Sequence, residues 1–80
     1  MFKIKAADGT NNLCGKRLKE IRLSQNLSQR KLAAKMQLLG CDINPTSFSK
    51  LEGQIRSATD VEIYVVAKIL GVKMEELFSE

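Results

Sequence analysis

The sequence predicts an all-α protein, a single bundle of five short helices. Three observations carry this. From about residue 13 onward, apolar residues recur at intervals of three and four, the period of a helix with one buried face. Four of the periodic segments open on a residue suited to cap a helix. The chain has 80 residues, the size of one domain. A core this small suffices without disulfides or metal when its helices fit together well.

The first dozen residues stand apart. Phe2, Ile4 and Ala6 alternate with Lys3 and Lys5, and Asp8-Gly9 marks a turn. The period of two fits a short edge strand; the lysines fit a loose basic arm equally well. Residues 1–12 are read as an N-terminal arm and 13–80 as the helical domain.

The first helix is expected from Leu13 to about Gln25, capped by Asn11 or Asn12, with Cys14, Leu18, Ile21 and Arg22 facing inward. Asn26-Leu27 makes the next turn. Ser28 caps the second helix, since its hydroxyl can accept from an unpaired backbone N–H. Leu32, Ala33, Met36 and Leu39 form that helix's inward stripe, and Gly40 ends it by taking the left-handed conformation.

Asn44 caps the third helix with Pro45 at its first position, where the missing N–H costs nothing. The helix lasts about two turns, to near Gly53. Thr59-Asp60-Val61-Glu62 is a capping box. It opens a fourth helix whose core stripe is Ile63, Val66, Ala67 and Leu70. Val61, Val65 and Ile69 make a second apolar stripe, open to the arm or to another protomer. Gly71 stops the helix, and a short last one from Met74 buries Leu77 and Phe78.

Charge is unevenly placed. Residues 1–56 hold eleven Lys and Arg against four acids, a net +7, and residues 57–80 a net −3. A basic front and an acidic back suit an anionic partner on one side. Other classes are disfavoured. With no histidine, no Gly-rich phosphate loop and no clustered carboxylates, nothing supports an enzyme, a cofactor or a small-molecule substrate. Cys14 and Cys41 form no C-x-x-C pair, so no metal site is expected and both should be reduced, partly buried thiols. No apolar run approaches the ~20 residues of a membrane span. "MFKIKAADG" lacks the apolar stretch of a signal peptide. The expected compartment is the cytoplasm.

The third helix is the informative one. Its inward positions are Phe48, Leu51 and Glu52; its outward positions are Pro45, Thr46, Ser49 and Lys50. Two helices joined by a turn, the second opening on small polar residues, describe a helix-turn-helix. A helix that enters a major groove ~12 Å wide needs a slim outer face. Its N-terminus, with free N–H groups, also favours phosphate.

The segment "LSQRKLAAKM…INPTSFSKLEG…ATDVEIYVVAKILGVKMEELF" resembles the lambda-repressor-like, Cro/XRE-type DNA-binding family. Leu27-Ser28-Gln29, Leu32-Ala33, Phe48-Ser49-Lys50-Leu51-Glu52 and Ala67-Lys68-Ile69-Leu70-Gly71-Val72 match its pattern in order, over about residues 13–78. The resemblance implies a five-helix lambda-repressor-like bundle in which Pro45, Thr46, Ser49 and Lys50 face bases. It places Gln29, Asn44, Gly53 and Arg56 on the DNA backbone, Gln29 also bracing the recognition helix. It further implies an ion pair between Arg22 and Glu52; the alternative is that Glu52 reaches solvent at the helix end.

The chain departs from the pattern in three places. Between Gln29 and Ile43 it has about five more residues than the shortest members, expected to lengthen the second helix by about a turn. Glycine comes one place early, in Glu52-Gly53-Gln54. Pro45 stands where a base-reading side chain is common, and its ring can meet only an apolar surface such as a thymine methyl. The expected function is a sequence-specific, double-stranded-DNA-binding transcriptional regulator, a repressor acting as a homodimer. The alternative is a protein-interaction module of the same fold.

Overall fold

The computed structural model describes residues 9–78, and these form an all-helical body. Four α-helices are present: α1 (Gly15–Ser24), α2 (Gln29–Leu38), α3 (Pro45–Glu52) and α4 (Asp60–Leu70). The expected fifth helix is a 3-10 helix, Met74–Phe78. The proposed strand or arm lies mostly outside the described residues; of its stretch, residues 9–12 form no strand.

Each α-helix is closed at its C-terminus by the same paired bonds. In α2 the N–H of Cys41 donates to Met36 O and that of Gly40 to Gln37 O, with Gly40 at φ +87°. This Schellman arrangement satisfies carbonyls that the helix leaves open. It recurs at Asn26 after α1, Gln54 after α3 and Gly71 after α4. Asn26 (φ 56°) and Gln54 (φ 61°) are the two non-glycine residues in this conformation among those described.

The start of α1 lies two residues beyond the expected Leu13. Leu13 is exposed and Cys14 begins the turn without a side-chain cap. Asn12 does the capping from further back: its Oδ1 accepts from Gly15 N at 2.8 Å. Its amide then donates to Leu51 O at 3.0 Å and Arg56 O at 2.7 Å. Asn12 is therefore spent on tying the head of α1 to the tail of α3. Gly15 permits this approach. A Cβ there would lie 2.5 Å from Leu51 O and 2.8 Å from Glu52 O.

The core is built from all five helical segments: Leu18 from α1, Leu32 and Met36 from α2, Phe48 and Leu51 from α3, Val66 from α4, and Leu77. α3 sits against both α1 and α2; α4 packs on α2; the 3-10 helix closes onto α1 and α4. Cys14 and Cys41 are free thiols inside this core. Burial pushes both thiols up, more than nearby charges move them, which keeps them unreactive.

Three core expectations change. Leu39 is half exposed, because α2 ends at Leu38 and the chain reverses at Gly40; Cys41 and Ile43 take the inward place. Phe78 is also nearly half exposed while Leu77 is sealed. A 3-10 helix has three residues per turn, so adjacent residues point apart. Val65 belongs to the core and Ile63 to its edge, so the second stripe of α4 reduces to Val61 and a half-buried Ile69.

Candidate nucleic-acid interface

The exposed face of α3 is set by its own first turn. Asn44 is extended (φ −92°, ψ 165°) and its Oδ1 accepts from Ser47 N at 2.8 Å. Pro45 follows at the first helical position. With Phe48, Leu51 and Glu52 buried, the helix must turn Pro45, Thr46, Ser49 and Lys50 to solvent, and all four are exposed. Three of these side chains stop within two heavy atoms of Cβ; Lys50 alone is long.

Glu52 is 4% exposed and does not reach solvent. Arg22 grips it with two donors: Nε to Oε2, and Nη2 to Oε1 at 3.0 Å. Arg22 Nη1 donates to Leu27 O at 2.6 Å. Gln29, the first residue of α2, donates from Nε2 to Glu52 Oε1 at 2.9 Å. One carboxylate thus joins α1, α2 and α3. A buried charge is tolerable only with such complete pairing. The three helices are fixed in register, which holds the face of α3 as a rigid surface.

The backbone-contacting candidates are arranged less simply. Asn44 is exposed at the α3 N-terminus, and its side-chain amide N–H groups remain open to solvent after Oδ1 has capped the helix. Gln29 has given an amide hydrogen to Glu52. Gly53 donates its N–H to Ser49 O at 2.9 Å, and the N–H groups of Gln54, Ile55 and Arg56 donate to Leu51 or Lys50 carbonyls. A phosphate at this turn would therefore meet side chains rather than amides, and Gly53 could offer it only close approach of its backbone. The left-handed position falls on Gln54, the consequence of the early glycine.

Arg56 is engaged too. Its Nη1 reaches Glu62 Oε1 at 2.9 Å and Ser57 O at 2.6 Å, and its Nη2 reaches Glu62 Oε2. Glu62 also accepts from Thr59 N at 3.0 Å, while Thr59 Oγ1 accepts from Glu62 N, completing the capping box of α4. Burial pushes the Glu62 carboxyl up, but the Arg56 fork and Thr59 N–H outweigh it, and the net result lies below the ordinary value. The same hydrogen bonding raises Arg56. About a third of the Arg56 side chain stays exposed, so it can meet an anion only as an already paired cation.

Two basic residues were not singled out from the sequence. Arg30 and Lys31 follow Gln29 in the first turn of α2, both exposed. Cations there oppose the helix dipole. No acid occupies the first turn of α1, α2 or α3, whereas α4 carries both Asp60 and Glu62 there. The signal was present: a helix start that favours an acid and receives two bases breaks a local rule, and Lys16 and Arg17 repeat it at the start of α1.

The connection between α2 and α3, Leu39 to Asn44, is longer than the 3–4 residues of a tight helix-turn-helix. Cys41 and Ile43 plug it into the core, and Gln37 Nε2 donates to Ile43 O at 2.6 Å. Among the described residues no group of acids, cysteines or histidines could hold a metal, and no helix is long and apolar enough to cross a membrane. Comparison with protein families, with characterised proteins and with solved structures finds no match to this chain.

Proposed function

We propose that the protein is a sequence-specific, double-stranded-DNA-binding transcriptional regulator, a repressor that binds as a homodimer. In this reading α2 and α3 are a helix-turn-helix of the lambda-repressor-like kind, and α3 lies in the major groove. The observation that carries it is the slim exposed face of α3 held rigid from behind by the Arg22–Glu52–Gln29 network. Thr46, Ser49 and Lys50 reach base edges, and Pro45 meets a thymine methyl. Arg30, Lys31 and the open end of α2 meet phosphates, which set register without reading sequence. The reading places the protein with its DNA, in the cytoplasm.

The test is selection of bound duplexes from a random pool, followed by titration at several salt concentrations. An enriched palindromic motif and an affinity that falls steeply with salt are expected. No enrichment with weak, salt-insensitive binding would sink the reading.

A second reading keeps the fold and exchanges DNA for a protein. Leu38 and Leu39, 86% and 52% exposed, sit where α2 gives way to the connection leading into α3. Two exposed leucines beside the face suit a protein contact. Failure of the duplex selection would favour this reading.

A further inference from the structure

A groove of about 260 Å³ opens among the head of α1, the α3–α4 loop, α4 and the 3-10 helix. Leu13, Cys14, Ala58, Ile63 and Phe78 give it apolar walls. None of the outward residues of α3 lines it. Its volume falls below the ~300–1,000 Å³ of small-molecule sites, and it suits one large apolar side chain. Leu13 and Phe78 are 57% and 44% exposed, so much of this wall is apolar surface in water.

The place where the described chain begins indicates an occupant. Gly9 lies two residues before Asn11, which is itself part of the groove. Asn11 N donates to Gln54 O at 3.1 Å, and Asn11 Nδ2 donates to Ile55 O. The point from which residues 1–8 depart is thus pinned at the rim. Those residues alternate Phe2 and Ile4 with Lys3 and Lys5. An extended chain spans ~3.3 Å per residue, so Phe2 can travel ~23 Å from Gly9. The reach is ample.

The rim also has the matching charge. Side chains three apart eclipse in a 3-10 helix, which places Glu75 beside Phe78. Asp60 lies one turn before Ile63 on α4, and both acids are exposed. We propose that the N-terminal segment of this chain docks in the groove, with Phe2 filling it and Lys3 and Lys5 meeting the acids at its rim. A second copy is the poorer occupant, since a stable interface buries ~800 Å² per partner, far more than a one-side-chain groove supplies. A tethered segment binds at high effective concentration and needs no such area.

The test is nuclear Overhauser contact between the Phe2 ring and the Ala58 and Ile63 methyls in the full chain. A sample mixing labelled and unlabelled chains separates contacts within a chain from those between chains. Intrachain cross-peaks are expected, together with shifts at Ala58 and Ile63 on Phe2→Ser. Cross-peaks only between chains would overturn the proposal in favour of a second copy. Absent cross-peaks with Ala58 and Ile63 unmoved by Phe2→Ser would overturn it outright.

Discussion

Glu52 shows how one residue can hold a site it never touches from outside. Its carboxylate takes two donors from Arg22 and one from Gln29. Glu52→Ala leaves the Arg22 charge buried without its partner, a change that typically costs ~3–5 kcal/mol. The urea midpoint of the variant should fall accordingly, and an unmoved midpoint would remove the pair from the account. Gln54 offers the opposite case. It stands at φ 61°, where a side chain costs roughly 1–2 kcal/mol and glycine nothing. Gln54→Gly should therefore be more stable than Gln54→Ala by ~1–2 kcal/mol in denaturant titration. Inside a helix or strand the order reverses, glycine being the weaker by ~0.5–1 kcal/mol. If the alanine variant matched or exceeded the glycine variant, the left-handed assignment would be wrong.

At the scale of the element, the sequence was most legible where structure is local. Ser28, Asn44 with Pro45, and Thr59 with Glu62 mark helix starts through side chains that bond their own first turn. The buried face of α3 followed from spacing alone. What could not be read depends on residues far apart. The role of Asn12 needs Leu51 and Arg56 brought beside it. Gly15 looks unfavourable in a helix until the carbonyls of Leu51 and Glu52 press on it. The α3–α4 turn is similar: the resemblance places Arg56 on the DNA backbone and Glu62 reads locally as a cap, and their pairing emerges only once the turn is folded. That pair has a pH signature. The folded Glu62 carboxyl lies below its ordinary 4.5. Its stabilisation is complete above that value and is lost as pH falls through the lower, folded one. Glu62→Gln should flatten the acid limb of the stability curve below about pH 4.5. Coincident limbs for wild type and variant would show that the pair contributes nothing.

At the scale of the whole molecule, α1, α2 and α3 carry eight Lys and Arg against two acids, while α4 and the 3-10 helix carry four acids against one lysine. The helix starts repeat this division, with bases or neutral residues opening α1, α2 and α3 and acids opening α4. Such polarity orients a protein toward a polyanion but carries no sequence information. In the proposed function the four outward residues of α3 read the sequence, and Lys50 is the longest of them. The central claim is tested by titrating wild type and Lys50→Ala against the selected duplex and against random DNA at one salt concentration. The account predicts that Lys50→Ala loses ~1–3 kcal/mol more on the selected duplex than on random DNA. Equal losses on both would make Lys50 a phosphate clamp, and no loss on either would contradict the claim that α3 is the recognition helix.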